Sequence, residues 1–393
     1  MKKSFPLFLI VTFSALLAGC ASDSGWAPSP DEPRAFISTL GSDTMAVEVY
    51  VRSGDVIEGT LVERSPQTRM TEYRVELNET GHFRSLSWST MTPSTNPGGA
   101  SPTAGSITID GDSATVVREG GQNPGMSKVA APGNVVLSLG RTGASMFVFE
   151  QVATQRLGGA DEILIMGTNG SAARANAVQT ISTDSISMDY FGNQRVGWVD
   201  DQGQLIGISG ALTTNKMNSK RVEPFLVGSI ADRWAALDLA GQGIGTPSPA
   251  ATAVAQVDGA NIEIQYSQPA KRGRDIWGGL VPNGTVWRTG ANAATHLTTS
   301  QDLMFGEDTL PAGMYTLWSL WEDGAYSIIL NEQTNQWGTA YDGSMDLFRV
   351  SATAVALSSV VERFTLSVED TDSGGDLVLS WDMTQYRVPF TVQ

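Results

Sequence analysis

The run Thr44-Met45-Ala46-Val47-Glu48-Val49-Tyr50-Val51-Arg52-Ser53-Gly54 decides the fold. Met45, Val47, Val49 and Val51 alternate with Ala46, Glu48, Tyr50 and Arg52; Ser53-Gly54 breaks the pattern, and residues 56–62 take it up again. Period two with a turn about every eight to twelve residues marks antiparallel strands. The same pattern extends outward. Thr71, Tyr73, Val75 and Leu77 alternate with charged neighbours and end in a turn at 78–81. Residues 92–105 (TPSTNPGGASPTAG) read as a long loop. Strands are predicted again at 106–109 and 114–118, with Asp110-Gly111 as a hairpin turn. More follow at 162–166, 177–181, 186–191, 195–199 and 204–208, the last two joined by a turn at 200–203.

One helix is predicted. Ser229 stands as its cap with Asp232 three residues on, Ile230, Trp234 and Leu237 share a face, and Gly241 closes it. This helix is expected to pack on the sheet or plug it. Residues 241–257 (GQGIGTPSPAATAVAQV) read as an interdomain linker. Gly241, Gly243 and Gly245 follow a helix rather than a strand and have the wrong spacing for a dinucleotide fingerprint. From Asn261 alternation resumes: Ile262, Ile264 and Tyr266, then 315–320, 326–330 and 347–350, then Phe364, Leu366 and Val368, then Leu377, Leu379 and Trp381. The expected architecture is mainly β. An antiparallel meander or half-barrel with one helix spans 36–240, and a jelly-roll-like β-sandwich spans 258–393.

Composition narrows the function. The 393 residues carry 25 Lys and Arg against 41 Asp and Glu, a formal charge of −16. Such a surface repels phosphate backbones, so nucleic acid is not an expected partner. Forty-two glycines with only 17% charged residues suit a turn-rich, exported β protein.

Lys2 and Lys3 precede an apolar run at 5–17, which ends in Leu17-Ala18-Gly19-Cys20 around the one cysteine of the chain. The run is short for a membrane span and has the layout of an export signal over 1–19. Its end resembles the lipobox of bacterial lipoproteins. That resemblance implies cleavage before Cys20, a diacylglyceryl thioether on its sulfur and acylation of the new amino terminus. Loss of Lys2 and Lys3 takes the charge to −18. No cysteine remains for a disulfide. Ala21 in place of Asp favours the outer membrane under the sorting rule that accompanies the resemblance. Residues 20–35 read as a tether.

In the second half, Lys271-Arg272-Gly273-Arg274-Asp275-Ile276-Trp277-Gly278, Leu280-Val281-Pro282, Val286-Trp287-Arg288-Thr289-Gly290-Ala291-Asn292, Leu310-Pro311-Ala312-Gly313 and Asn335-Gln336-Trp337-Gly338 occur in order. Residues 258–393 thereby resemble the bacterial domain-of-unknown-function family 2911, which implies an envelope or secreted β-domain and no accepted activity. The family motif has Glu where this chain has Ala293, and His296 stands where relatives carry a small or β-branched residue. The loss of that carboxylate favours binding over catalysis. The first half is similar to bacterial lipoprotein-carrier half-barrels in its meander, its single helix and its late Asp-x-x-Gly turn.

Most catalytic chemistries lack their residues. His82 and His296 lie in different halves, so a two-histidine zinc site is not expected within one domain. There is no Gly-x-Ser-x-Gly elbow, no Ser-x-x-Lys and no phosphate loop. Asp370, Asp372 and Asp376 resemble a calcium loop only in part, because Gly374 and Trp381 stand at ligand positions; a hairpin turn is the simpler reading. No cofactor is expected. What stands out is aromatic and basic: six of ten tryptophans lie in the second half, accompanied by arginines. Arg272, Arg274, Trp277, Trp287, Arg288, Asn292 and Trp337 are the candidate ligand-binding residues, and Cys20 is the lipidation site. Indoles can stack on a sugar ring, and arginine can clamp a carboxylate; equally, both can be core and bracing. The expected function is non-catalytic binding of a glycan, peptide or apolar ligand by an envelope lipoprotein. A glycan hydrolase using Asp275, Asp342 or Asp346, and a lipid carrier in the first half, stay open as alternatives.

Overall fold

The computed structural model describes residues 32–93, 103–121, 123–139, 143–190, 192–213 and 215–393. The leader, Cys20 and most of the expected tether and 92–105 loop lie outside them. Among the described residues the chain forms two helices and two large sheets, one of fifteen strands and one of ten, and neither sheet closes into a barrel.

The first sheet is a long meander. From Arg34–Leu40, seven further strands lead outward to an edge at Gly125–Ala130. On its other side Arg34–Leu40 pairs with Asn218–Val222, and the order runs back through the chain to Val136–Ser138 at the opposite edge. All pairs are antiparallel except Val136–Ser138 with Glu162–Gly167. The expected turns at 78–81, 110–111 and 200–203 are present. Arg34 already belongs to a strand, so the sheet begins inside the stretch read as tether.

The sheet curls around α1 (Met146–Leu157), a helix that the sequence reading missed. Eight successive residues, Met146 to Ala153, are buried. A helix enclosed on all sides has no polar stripe, so its sequence carries no 3.6-residue periodicity. Phe147 stacks on Tyr73 with ring centroids 4.6 Å apart, and Phe149 meets Tyr190 at 5.0 Å. A polar seam runs through this core. Tyr73 donates to Glu48 at 2.8 Å, and the backbone N–H of Met146 donates to the other oxygen of Glu48. Tyr50 donates to Glu150, which also pairs with Arg34. Burial is the main force that pushes the Glu48 carboxyl up to about 8.

The predicted helix exists as α2 (Val227–Leu239) and packs on the outer face, where Ala231 and Trp234 meet Val47 and Val62. Its cap differs from the expectation. Leu226 occupies that position, and Ser229 instead donates back to the Leu226 carbonyl at 2.8 Å.

The second sheet starts with Ala250–Val257, so those residues of the expected linker are a strand. This strand pairs residue for residue with Ala260–Ser267 across a two-residue Asp258-Gly259 turn, both with positive φ. Two long strands, Asp346–Thr371 and Gly374–Val392, fold the sheet over its core. Their register shifts twice between Ala356 and Thr365, which lets one strand pass from layer to layer of the sandwich.

Candidate functional site

A cleft of about 630 Å³ lies between the two sheets. The second sheet contributes Leu280, Pro282, Val286, Trp287, Trp318, Tyr341 and Trp381; the first contributes Leu40, Met45, Ala46 and Met217. Thr246, Pro247 and Ser248 of the connecting segment complete it.

Trp287 and Trp381 hold each other, and all three indoles are almost fully buried. Trp287 lies parallel to Trp381 at 5.8 Å and edge-on to Phe364 at 5.3 Å. The Trp381 indole N–H donates to the Glu362 carbonyl at 3.2 Å. Trp318 meets Tyr341 edge-on at 5.0 Å, and Tyr341 donates to Asp346 at 2.5 Å. Burial first and Asp346 second push the Tyr341 phenol up to about 12.

A strained turn carries the polar groups. The strand Thr285–Trp287 pairs with Gly313–Glu322 and stops there; Thr289 and Asn292 then adopt left-handed φ of 52° and 61°. Such conformations need outside support. Buried Thr289 donates to the Ser319 hydroxyl at 3.0 Å, and its carbonyl accepts from Thr295 at 2.8 Å. Asn292 donates to the Ser248 carbonyl at 3.2 Å, which ties the turn to the connecting segment. Gly338 presses against the turn from the other side. A Cβ there would come within 2.6 Å of the Asn292 carbonyl oxygen and 2.7 Å of the Arg288 Cδ.

Three cations line the cleft. Arg274 binds backbone carbonyls, Lys271 at 3.0 Å and Ala270 at 2.5 Å. Lys216, also in a left-handed conformation, donates to the Ala211 carbonyl at 3.1 Å. Half-buried Arg288 has no hydrogen bond or ion pair with any described residue, and burial alone lowers its proton affinity. The proton affinity of Lys216 falls through burial and then through the charges of Arg288 and Arg274. Among the described residues Glu63 is the one carboxylate on the wall, 3.5 Å from Arg69.

Four of the seven candidate binding residues therefore meet in the cleft: Arg274, Trp287, Arg288 and Asn292. Arg272 does not. It is buried and pairs with Asp43 of the first sheet, and its carbonyl accepts from the Ser42 N–H at 2.9 Å. Trp277 packs against Trp321, Tyr326 and Tyr386. Trp337 is half exposed beside the cleft, bridged to Ala293 through the backbone.

The carboxylates of the hydrolase alternative stand apart from the cleft wall. Asp342 accepts from Ser344, and Asp346 accepts from Tyr341 and Asn331. Asp376 is paired with Arg387 in the hairpin. The buried His296 accepts from the Asn335 N–H at 2.9 Å. Among the described residues no group of three or more His, Cys, Asp or Glu could hold a metal ion, and no helix is long and apolar enough to cross a membrane. Sequence reading missed Lys216 and the Met45–Glu63 wall, because nothing in the first half marks what the second half faces.

Residues 248–390 match a family described as a protein of unknown function (DUF2911), and the match begins just before the first strand of the second sheet. No curated protein matches the chain. Among solved structures, a DUF1089 family protein from Pseudomonas aeruginosa is similar at 17% identity and a TM-score of 0.30, over 42% of this chain and 90% of that one.

Proposed function

We propose that this chain is a binding protein of the bacterial cell envelope. Its ligand is a small molecule with an apolar or ring-shaped body, and the ligand lies in the cleft between the sheets. The observation that carries this reading is the cleft itself: about 630 Å³, lined by apolar side chains, with Trp287 at 9% exposure and the buried Trp318 and Trp381 backing its wall. A concave, largely apolar pocket with few polar groups is the usual form of a small-molecule site. A cargo space inside the first sheet has less support, because α1 fills that interior. The acyl anchor on Cys20, with Ala21 after it, would hold the protein on the outer membrane.

Calorimetric titration with 2-naphthylmethanol tests the cleft. Saturable binding that Trp287→Ala reduces at least fivefold supports the reading; binding indifferent to that change overturns it. Mass measurement of the native product tests the anchor, since the reading requires an acylated Cys20 at its amino terminus.

A further inference from the structure

The cleft has a charge pattern that a purely apolar ligand does not use. Lys216, Arg274 and Arg288 converge on it from both sheets, against Glu63, the single carboxylate there among the described residues. This is a local excess of positive charge in a chain with formal charge −16. Several cations elsewhere are matched by carboxylates, although buried Arg195 lies over the Phe149 and Tyr190 rings with no ion pair among the described residues. Arg34 has Glu150, Arg221 has Asp200, Lys271 has Asp382, Arg272 has Asp43, and Arg387 has both Glu369 and Asp376. A half-buried guanidinium without a counter-charge is unfavourable in the empty protein, because burial removes its water and nothing replaces it. The turn that holds Arg288 is nonetheless built with care: two residues sit in left-handed backbone, and Gly338 leaves space for its methylenes.

We propose that the ligand carries an anionic group, a carboxylate or a phosphate monoester, bound by Arg288 with Arg274 and Lys216 while its apolar body lies against the apolar wall around Trp287. This rests on the cleft being the binding site and goes further by naming the ligand's chemical class. Arg288 supplies a planar fork suited to bidentate contact with either anion. Lys216 adds a charge from the other sheet, so the anion bridges the two halves of the protein. Arg274 contributes mainly its field, since two of its N–H groups are already bonded to carbonyls. Carbohydrate hydroxyls would not need this arrangement; neutral acceptors and donors would serve them.

The test compares three probes with one ring system on the full chain by calorimetry: 2-naphthoate, 2-naphthyl phosphate and 2-naphthylmethanol. At least one anion is expected to bind ten-fold or more tighter than the alcohol. The better of the two anions tells a carboxylate ligand from a phosphate. Arg288→Met and Lys216→Met should each weaken the anions about ten-fold and leave the alcohol within twofold. Arg288→Lys, which keeps the charge and the stem, should retain part of the preference. The inference is overturned if the alcohol binds as tightly as both anions, or if Arg288→Met weakens all three probes alike. In both of those cases Trp287→Ala sensitivity would leave the cleft itself standing. If no probe binds, or if binding ignores Trp287→Ala, the cleft reading fails and takes the anion with it.

Discussion

Arg272 of the second sheet pairs with Asp43 of the first, and the same residue's carbonyl receives the Ser42 N–H. The pair fixes how the two sheets face each other beside the cleft. Arg272 is only 7% exposed, so removal of its partner leaves a charge with little water to turn to.

Asp43→Asn is therefore expected to cost about 2 kcal/mol, between the values of exposed and buried pairs, because Asp43 itself is partly open. Urea midpoints measure it. Gly41→Ala should disturb the same junction, since φ there is +61° and a Cβ would lie 2.2 Å from the Arg272 carbonyl oxygen. Both changes should also weaken a naphthyl probe in the cleft.

Arg288→Met is expected to leave stability unchanged or raise it by up to about 1 kcal/mol, because it removes a half-buried charge that has no partner. The same change should weaken the anionic probes about ten-fold. A clear loss of stability would instead show that Arg288 braces the turn.

Gly338→Ala should harm binding with little change in the core. The added methyl group would meet the Asn292 carbonyl and the Arg288 Cδ, so the turn has to shift. A naphthoate affinity equal to that of the unaltered protein would count against the packing described for this turn.

Glu48 gives stability a pH dependence of known sign. Its carboxyl is raised from 4.5 to about 8 by burial. Below pH 4.5 it is protonated in both folded and unfolded chains. Between about 4.5 and 8 the folded protein keeps a proton that the unfolded chain releases. Stability from this group thus falls as pH rises through that window, by up to about 1.4 kcal/mol per pH unit. Urea titrations at pH 5, 6.5 and 8 should show that slope, and Glu48→Gln should flatten it. An identical slope in both proteins would refute the assignment.

Local pattern made the strands readable. Alternation and turn residues are properties of a few neighbouring positions, and the hairpins at 110–111 and 200–203 follow from them. Helix α1 left no such trace, because a segment buried all round has no polar face to set a period. The strand Ala250–Val257 was hidden by its alanines, although Asp258-Gly259 after it is a hairpin signal. The site was half legible. Trp287, Arg288 and Asn292 share one motif and one cleft, whereas Arg272 and Arg274, two residues apart, go to different tasks. Arg272 and Gly273 both have positive φ, and that bend separates the two side chains. Lys216 could not be read at all, since its role depends on how one sheet meets the other.

Helix α1 occupies the hollow of the first sheet. A curled sheet of this size could shelter a guest molecule, but here the chain supplies its own, locked in by Tyr73, Phe83 and Tyr190. Under the proposed function, the ligand is left with the joint between the halves. On that reading, exchange would call for the joint to part while each sheet stays whole.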